Sequence, residues 1–263
     1  MNSDPFLSRR DFLKLGAFTL LGVAFGRYAR PATAAREQPV LYRGSERYPR
    51  VALTYDDCNL VTQLQKLEKI YDQYADMRIT FFPVGEALLN NEQKDPGIWR
   101  RFYQRGYEFG YHTFPFEHIN PQVLSAEQVD QDYHLWLDAL RAVLKTEPVV
   151  RFARPAFGNA SPSFLAMCAA EGLTPVMWST GWGGTVEDVV KYTVPKLRNG
   201  DIVLMHTRPE DVETTALALP EVQARGIQPV GMTRLYLDLL MEINQPAVCH
   251  ADAAPLPTAT CIE

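Results

Sequence analysis

The chain has 263 residues, of which 46% are hydrophobic and 22% charged, with a formal net charge of −5 and a pI near 5.6. That length fits one large domain or two small ones, and the composition is that of a soluble globular protein. An acidic balance of this size argues against a nucleic-acid footprint.

Residues 1–34 read as an export signal rather than as part of the fold. Ser8-Arg9-Arg10-Asp11-Phe12-Leu13-Lys14 precedes an apolar run from Leu15 to Gly26, and Ala32-Thr33-Ala34 offers the small residues of a cleavage site. This is the layout of a secretory signal. The run is shorter than the roughly 20 residues that span a bilayer, so the mature form is expected to have no stable membrane span. The paired arginines resemble a twin-arginine signal. That resemblance implies the twin-arginine machinery as a partner, export of the already folded chain with any metal loaded first, and a final location in the periplasm, the cell envelope or outside the cell. Residues 35–50 read as a linker, residues 51–243 as the folded domain and residues 244–263 as a Pro/Ala-rich tail. Of the four cysteines, Cys168 lies in an apolar stretch and is expected in the core. Cys249 and Cys261 lie in the tail, where an exported chain can pair them.

From residue 51 onward, strand-like and helix-like patterns alternate. Val51 to Asp57 is an apolar, β-rich run that stops on two carboxylates. Leu60, Leu64, Leu67, Ile70, Tyr71 and Tyr74 mark a helix face, and Arg78 to Val84 reads as a buried strand. A helix over Pro96 to Gln104 and a strand over Tyr107 to Tyr111 follow. Ser125-Ala126-Glu127-Gln128 has capping-box spacing and opens a helix with Val129, Tyr133, Trp136, Leu137, Leu140 and Leu144 on one face. Further strands are expected at Val149 to Ala153, Pro175 to Trp178, Asp201 to His206 and Ile227 to Val230. Helices are expected from Pro162, near Val186 to Leu197, near Thr214 to Ala224 and from Thr233 to Met241. Alternation of this kind is α/β with a parallel sheet. About seven units suit a distorted (β/α) barrel, whose chemistry sits at the carboxyl ends of the strands.

Polar clusters fall at those ends. Asp56-Asp57 is the first; neighbouring strand residues face opposite ways, so both can serve one site only where the backbone turns. The second is His112-Thr113-Phe114-Pro115-Phe116-Glu117-His118, in which two histidines and a carboxylate supply the donor types zinc takes. The third is Arg154-Pro155-Ala156-Phe157-Gly158, an arginine suited to fixing a carboxylate bidentately followed by a shaped turn. The fourth is Leu204-Met205-His206, with a histidine of the kind used as general acid or base. His134 and His250 are read as surface residues.

T-Y-D-D at Thr54 to Asp57, T-F-F-P-V-G-E at Thr80 to Glu86, G-Y-E-F-G-Y-H-T at Gly106 to Thr113, R-P-A-F-G at Arg154 to Gly158 and G-D-I-V-L-M-H at Gly200 to His206 occur in this order. Together they resemble the NodB-type polysaccharide deacetylases, carbohydrate esterase family four, over roughly Val51 to Leu240. The resemblance implies a NodB-homology barrel, a divalent metal, usually zinc, and removal of acetyl groups from an N-acetylated extracellular glycan. It implies Asp57, His112 and His118 as metal ligands and Asp56 as the base that takes a proton from the attacking water. Arg154 would hold Asp56, the Phe157 N–H would stabilise the oxyanion, Leu204 would line the acetyl pocket and His206 would protonate the leaving amine. The same chemistry suits a carbohydrate O-acetyl esterase, and a non-catalytic glycan-binding barrel is the reading from another class.

Three departures from the family pattern stand out. Cys58 occupies a usual glycine position. His112 and His118 lie six positions apart instead of four, which makes Glu117 an alternative ligand. Ser179, Thr180 and Gly181 follow Trp178 where the family has acidic residues, leaving Glu210 and Asp211 as replacements beside His206.

Overall fold

In a computed structural model of the chain, residues 39–244 are described. The export signal through residue 34 and the Cys249–Cys261 pair lie outside them.

The first strand, β1 (Arg50–Asp57), is the centre of the sheet. It is followed by α1 (Val61–Tyr71), β2 (Thr80–Pro83), α2 (Gly85–Lys94), α3 (Ile98–Gln104) and β3 (Glu108–Phe109). Next come α4 (Ala126–Leu144), β4 (Phe152–Ala153), α5 (Pro162–Glu171), β5 (Thr174–Pro175) and β6 (Thr180–Gly181). A short helical segment, α6 (Val186–Asp188), widens and then tightens over Val189–Lys196. The chain closes with β7 (Ile202–His206), α7 (Pro209–Ala224), β8 (Gln228–Pro229) and α8 (Met232–Ile243).

The main sheet runs β3-β2-β1-β7-β6, all parallel, with β8 against the start of β1. β4 and β5 form a second parallel pair. Single bridges join the two sheets. Tyr111 pairs with Ala153, Leu41 with Val176, and Arg43 with Asp201. The circuit of pairings therefore closes, and the α/β architecture is the expected distorted barrel. Residues 41–43 are a stave of it, between β5 and β7, although the sequence placed them in a linker. Val40-Leu41-Tyr42 is only a three-residue apolar run between Pro39 and Gly44, too short to stand out as a strand. The edge they cover would otherwise leave backbone groups unpaired.

Alternation along β1 sorts its residues. Val51, Leu53 and Tyr55 join the large cluster beneath the helices, whereas Ala52 joins Phe82, Phe152, Val176, Ile202, Val230 and Met232 in a smaller one. Ala52, Thr54 and Asp56 thus share one face, which places Asp56 at the carboxyl end of the inner column. The helix α4 begins as its sequence predicts: Ser125 Oγ accepts from the Gln128 N–H, and the Gln128 side chain accepts from the Ser125 N–H.

The helix α2 had no counterpart in the sequence reading. It opens on Gly85 and runs into Asn90-Asn91-Glu92-Gln93-Lys94, so only Ala87, Leu88 and Asn91 follow Gly85 into the interior. Gly85 is required there, because a Cβ would lie 2.3 Å from the Phe114 ring. The strands β3, β4 and β5 are shorter than predicted; single bridges at Tyr111 and Val176 continue β3 and β5.

Candidate active site

The end of β1 divides its two carboxylates. Asp56 keeps the extended strand register opposite His206. Asp57 and Cys58 then take left-handed conformations, with φ of 62° and 59°. This turn brings the Asp57 side chain round to the same cleft as Asp56, as adjacent strand residues otherwise cannot do. It also explains why glycine suits position 58. Cys58 adopts the left-handed backbone nonetheless, with its thiol fully buried and its carbonyl held by Asn91 Nδ2 at 2.7 Å.

Arg154 enters from the end of β4 and is fully buried. Its Nη1 donates to Asp56 Oδ1 at 2.7 Å and to Thr54 Oγ1 at 2.8 Å, while Nη2 donates to the Met177 carbonyl at 3.0 Å. The guanidinium lies 4.2 Å from the centre of the Phe82 ring. The contact with Asp56 is not the bidentate one the sequence suggested. The guanidinium spreads over three acceptors inside the barrel, and among the described residues its Nε has none. Asp56 Oδ2 likewise carries no protein hydrogen bond among them.

Asp57 meets the two histidines. Its Oδ1 lies 2.8 Å from His118 Nε2 and 3.4 Å from His112 Nε2. His112 Nδ1 lies 2.9 Å from the Arg154 carbonyl, and His118 Nδ1 lies 2.8 Å from the Phe116 carbonyl. A carbonyl only accepts, so each Nδ1 carries the proton and each Nε2 is turned toward Asp57. Burial pushes the Asp57 carboxyl up, but the two imidazoles, which interact with it favourably in their protonated forms, outweigh burial and hold Asp57 well below the usual carboxylate range. The hydrogen bond to Asp57 raises His118 above the usual imidazole value, against burial. One carboxylate and two Nε2 atoms, oriented through Nδ1 by backbone carbonyls, are a donor set that fits a zinc-like cation.

The spacing of the histidines is absorbed by a bulge. The His118 N–H closes a turn on the Pro115 carbonyl, and His118 takes φ of 57°. Phe116 and Glu117 project outward and are exposed, so Glu117 is not in the cluster. Glu86, in the first turn of α2, accepts the Phe116 N–H at 2.8 Å and steadies the bulge.

Phe157 also has a left-handed backbone, φ 59° and ψ 15°, within the turn Ala156–Gly158. Among the described residues its N–H makes no hydrogen bond. The residue is 70% exposed, and its ring stands 5.7 Å from the His118 ring. Gly158 follows with φ of 65°, where a Cβ would lie 2.9 Å from the Trp178 ring. Asp56, Asp57, His112, His118, Phe157, Leu204 and His206 line one cleft of about 240 Å³, walled by Pro155 and Trp178. Of the residues given principal roles from the sequence, all line this cleft except Arg154, which lies beneath it; the alternatives Glu117, Glu210 and Asp211 do not line it.

The two replacement acids do not reach His206 by a hydrogen bond or ion pair. Asp211 is buried at the start of α7, where it accepts the Arg208 N–H and its Nε, and Glu210 is exposed. Ser179 instead donates to Asp201 Oδ1 at 2.7 Å.

Asp132 was missed by the sequence reading. From α4 it accepts Tyr111 Oη at 2.7 Å, the Phe114 N–H at 2.9 Å and Thr113 Oγ1 at 3.3 Å, anchoring both sides of His112. Burial raises its pKa, opposed by these donors. The signal was present: Asp132 falls three after Val129 and four before Trp136, on the apolar stripe, where an unpartnered carboxylate is costly.

A family model described as Polysaccharide deacetylase matches residues 43–176. A peptidoglycan-N-acetylglucosamine deacetylase of Bacillus cereus is 27% identical over 195 residues, 70% of this chain and 87% of that protein. Chitin deacetylase 1 of Cryptococcus neoformans var. grubii is 26% identical over 183 residues, 59% of this chain and 37% of that protein. Among solved structures, a CE4 family pseudoenzyme from Bacillus anthracis superposes with a TM-score of 0.67 at 19% identity, covering 75% of this chain and 69% of that one.

Proposed function

The chain belongs to the polysaccharide deacetylase family, hydrolases of carbon–nitrogen bonds other than peptide bonds, and from that premise we propose that it removes acetyl groups from an N-acetylated extracellular glycan in a metal-dependent reaction. One observation carries this reading: the adjacent carboxylates Asp56 and Asp57 have separate partners, an arginine for one and two histidines for the other. Two carboxylates with the same task would not need different surroundings.

Asp57, His112 and His118 would hold the cation, with zinc the fitting choice for this nitrogen and oxygen set. When bound, a divalent cation supplies Lewis-acid polarisation of the acetyl carbonyl and lowers the pKa of water. Asp56 takes the proton of the attacking water through Oδ2, while Arg154 fixes Oδ1. The Phe157 N–H donates to the oxygen that gains charge; one such donor contributes about 2.7–4 kcal/mol in acyl transfer. His206 protonates the leaving nitrogen, because an unprotonated amine leaves poorly. Leu204 and Trp178 form the apolar wall against the acetyl methyl.

Acetate release from N-acetylglucosamine oligomers and from peptidoglycan, with zinc supplied, tests the reading. Asp56→Asn is expected to lower kcat by about 10²–10⁴-fold while the metal stays bound. Full activity in that variant would sink the assignment of the base. Export through the twin-arginine route rests on Arg9 and Arg10; replacing both with lysine is expected to leave the precursor in the cytoplasm.

A further inference from the structure

We propose that the chain carries a second divalent-cation site on its outer surface, formed by Asp130 and His134 of α4 and Glu171 at the end of α5. The three donor atoms lie within 4.8 Å of one another. His134 Nε2 is 3.7 Å from Asp130 Oδ2 and 3.8 Å from Glu171 Oε1, so one imidazole nitrogen faces both carboxylates. Asp130 and His134 are spaced i,i+4 and share one face of α4. Glu171 comes from a different helix, so the pair and the third ligand are brought together only by the packing of α4 against α5.

Donors held about 2.0–2.1 Å from a tetrahedral ion lie roughly 3.4 Å apart. The two separations from His134 exceed that by a few tenths of an ångström, the two carboxylates lie within 4.8 Å of each other, and all three side chains retain enough exposure to draw in. Charge favours an ion as well. Among the described residues, neither Asp130 nor Glu171 has an arginine or lysine within ion-pair distance. The nearby Arg141 is committed to Asp138 and Glu147. Without a cation, two carboxylates share one imidazole. With a divalent cation and a neutral imidazole, the cluster is balanced. Glu171 also closes a ten-residue helix, whose carboxyl end attracts positive charge. One imidazole and two carboxylates leave a coordination position for water and suit zinc or a neighbouring first-row ion better than magnesium.

An ion here would tie α4 to α5. The opposite face of α4 carries Asp132, which anchors the His112 loop, and α5 follows directly from the turn that presents Phe157. The site would therefore brace two loops of the cleft without touching substrate.

The test is a zinc titration of the untagged protein by calorimetry, read together with the unfolding temperature. The protein is expected to take up about two equivalents of zinc. A variant with Asp57→Ala and His112→Ala should retain one, and adding His134→Ala to it should remove the remaining ion together with the zinc-dependent rise in unfolding temperature. Glu171→Gln alone should weaken the second equivalent in the otherwise unaltered protein while acetate release persists. Uptake of a single equivalent that disappears with Asp57→Ala and His112→Ala would overturn the proposal. So would a second equivalent that survives both His134→Ala and Glu171→Gln. Because the second ion is counted where the first site has been removed, its loss is distinguishable from failure of the deacetylase reading.

Discussion

Replacing Arg154 with methionine isolates what the buried ion pair contributes. Arg154 has no solvent exposure and the Asp56 side chain is 4% exposed, so water cannot take over the broken contact. The variant loses the 2.7 Å bond to Asp56, the bond to Thr54 and the bond to the Met177 carbonyl, and it leaves a carboxylate buried without its partner. Breaking a buried pair from one side costs about 3–5 kcal/mol. In a domain of this size that corresponds to a fall in Tm of about 6–20 °C. Asp56 also loses the group that fixes Oδ1, and misplacement by about 1 Å is expected to lower kcat by about 10²-fold. Urea denaturation and acetate release would be measured on Arg154→Met, Asp56→Asn and the double variant. The double variant removes the stranded charge, so it should be more stable than the sum of the single changes predicts, by about 0.5–3 kcal/mol. Strict additivity, or a loss below about 1 kcal/mol in Arg154→Met, would refute the view that the pair acts as a unit.

Asp57→Ala or His112→Ala should remove most of the metal bound at the cleft and the activity with it, whereas Glu117→Ala should retain both, because Glu117 faces solvent; elemental analysis and acetate release decide. In the metal-free protein, the raised pKa of His118 means that its stabilising contact with Asp57 is fully present below about pH 6.5 and is lost as pH rises through the folded-state value. The urea midpoint of chelated protein should therefore fall across that range, while apparent zinc affinity rises as His118 gives up its proton. Asp132→Ala should lower zinc affinity at the cleft by about 10–100-fold, since outer partners orient metal-binding histidines; titration with a competing chelator measures it. Cys58→Gly should be less destabilising than Cys58→Ala in thermal melts, because glycine relieves a left-handed backbone that costs other residues about 1–2 kcal/mol, and alanine does not.

Much of the site was legible in the sequence because its residues stand at strand ends, where local pattern and function coincide. A β-rich run ending on Asp56-Asp57, histidines after the strand at Phe109 and an arginine after the strand at Ala153 are each visible within a few positions. Periodicity likewise identified α4 and its cap, and the alternation of elements determined the barrel. What remained hidden depended on distant contacts. Which of Glu117 and His118 joins Asp57 was decided by a bulge tied to Glu86, thirty positions before Phe116. Arg154 turned out not to grip Asp56 with both nitrogens, because Met177 and Thr54 compete for its donors. The stave at residues 41–43 rests on a run too short to read as a strand, and its pairing with Val176 and Asp201 comes from distant parts of the chain. His134 looked like an ordinary surface residue until α5 brought Glu171 to it. Local spacing records which side chains share a turn of helix or a strand end; which of them meet across the barrel follows from the closed geometry of the sheet and the packing of helices around it.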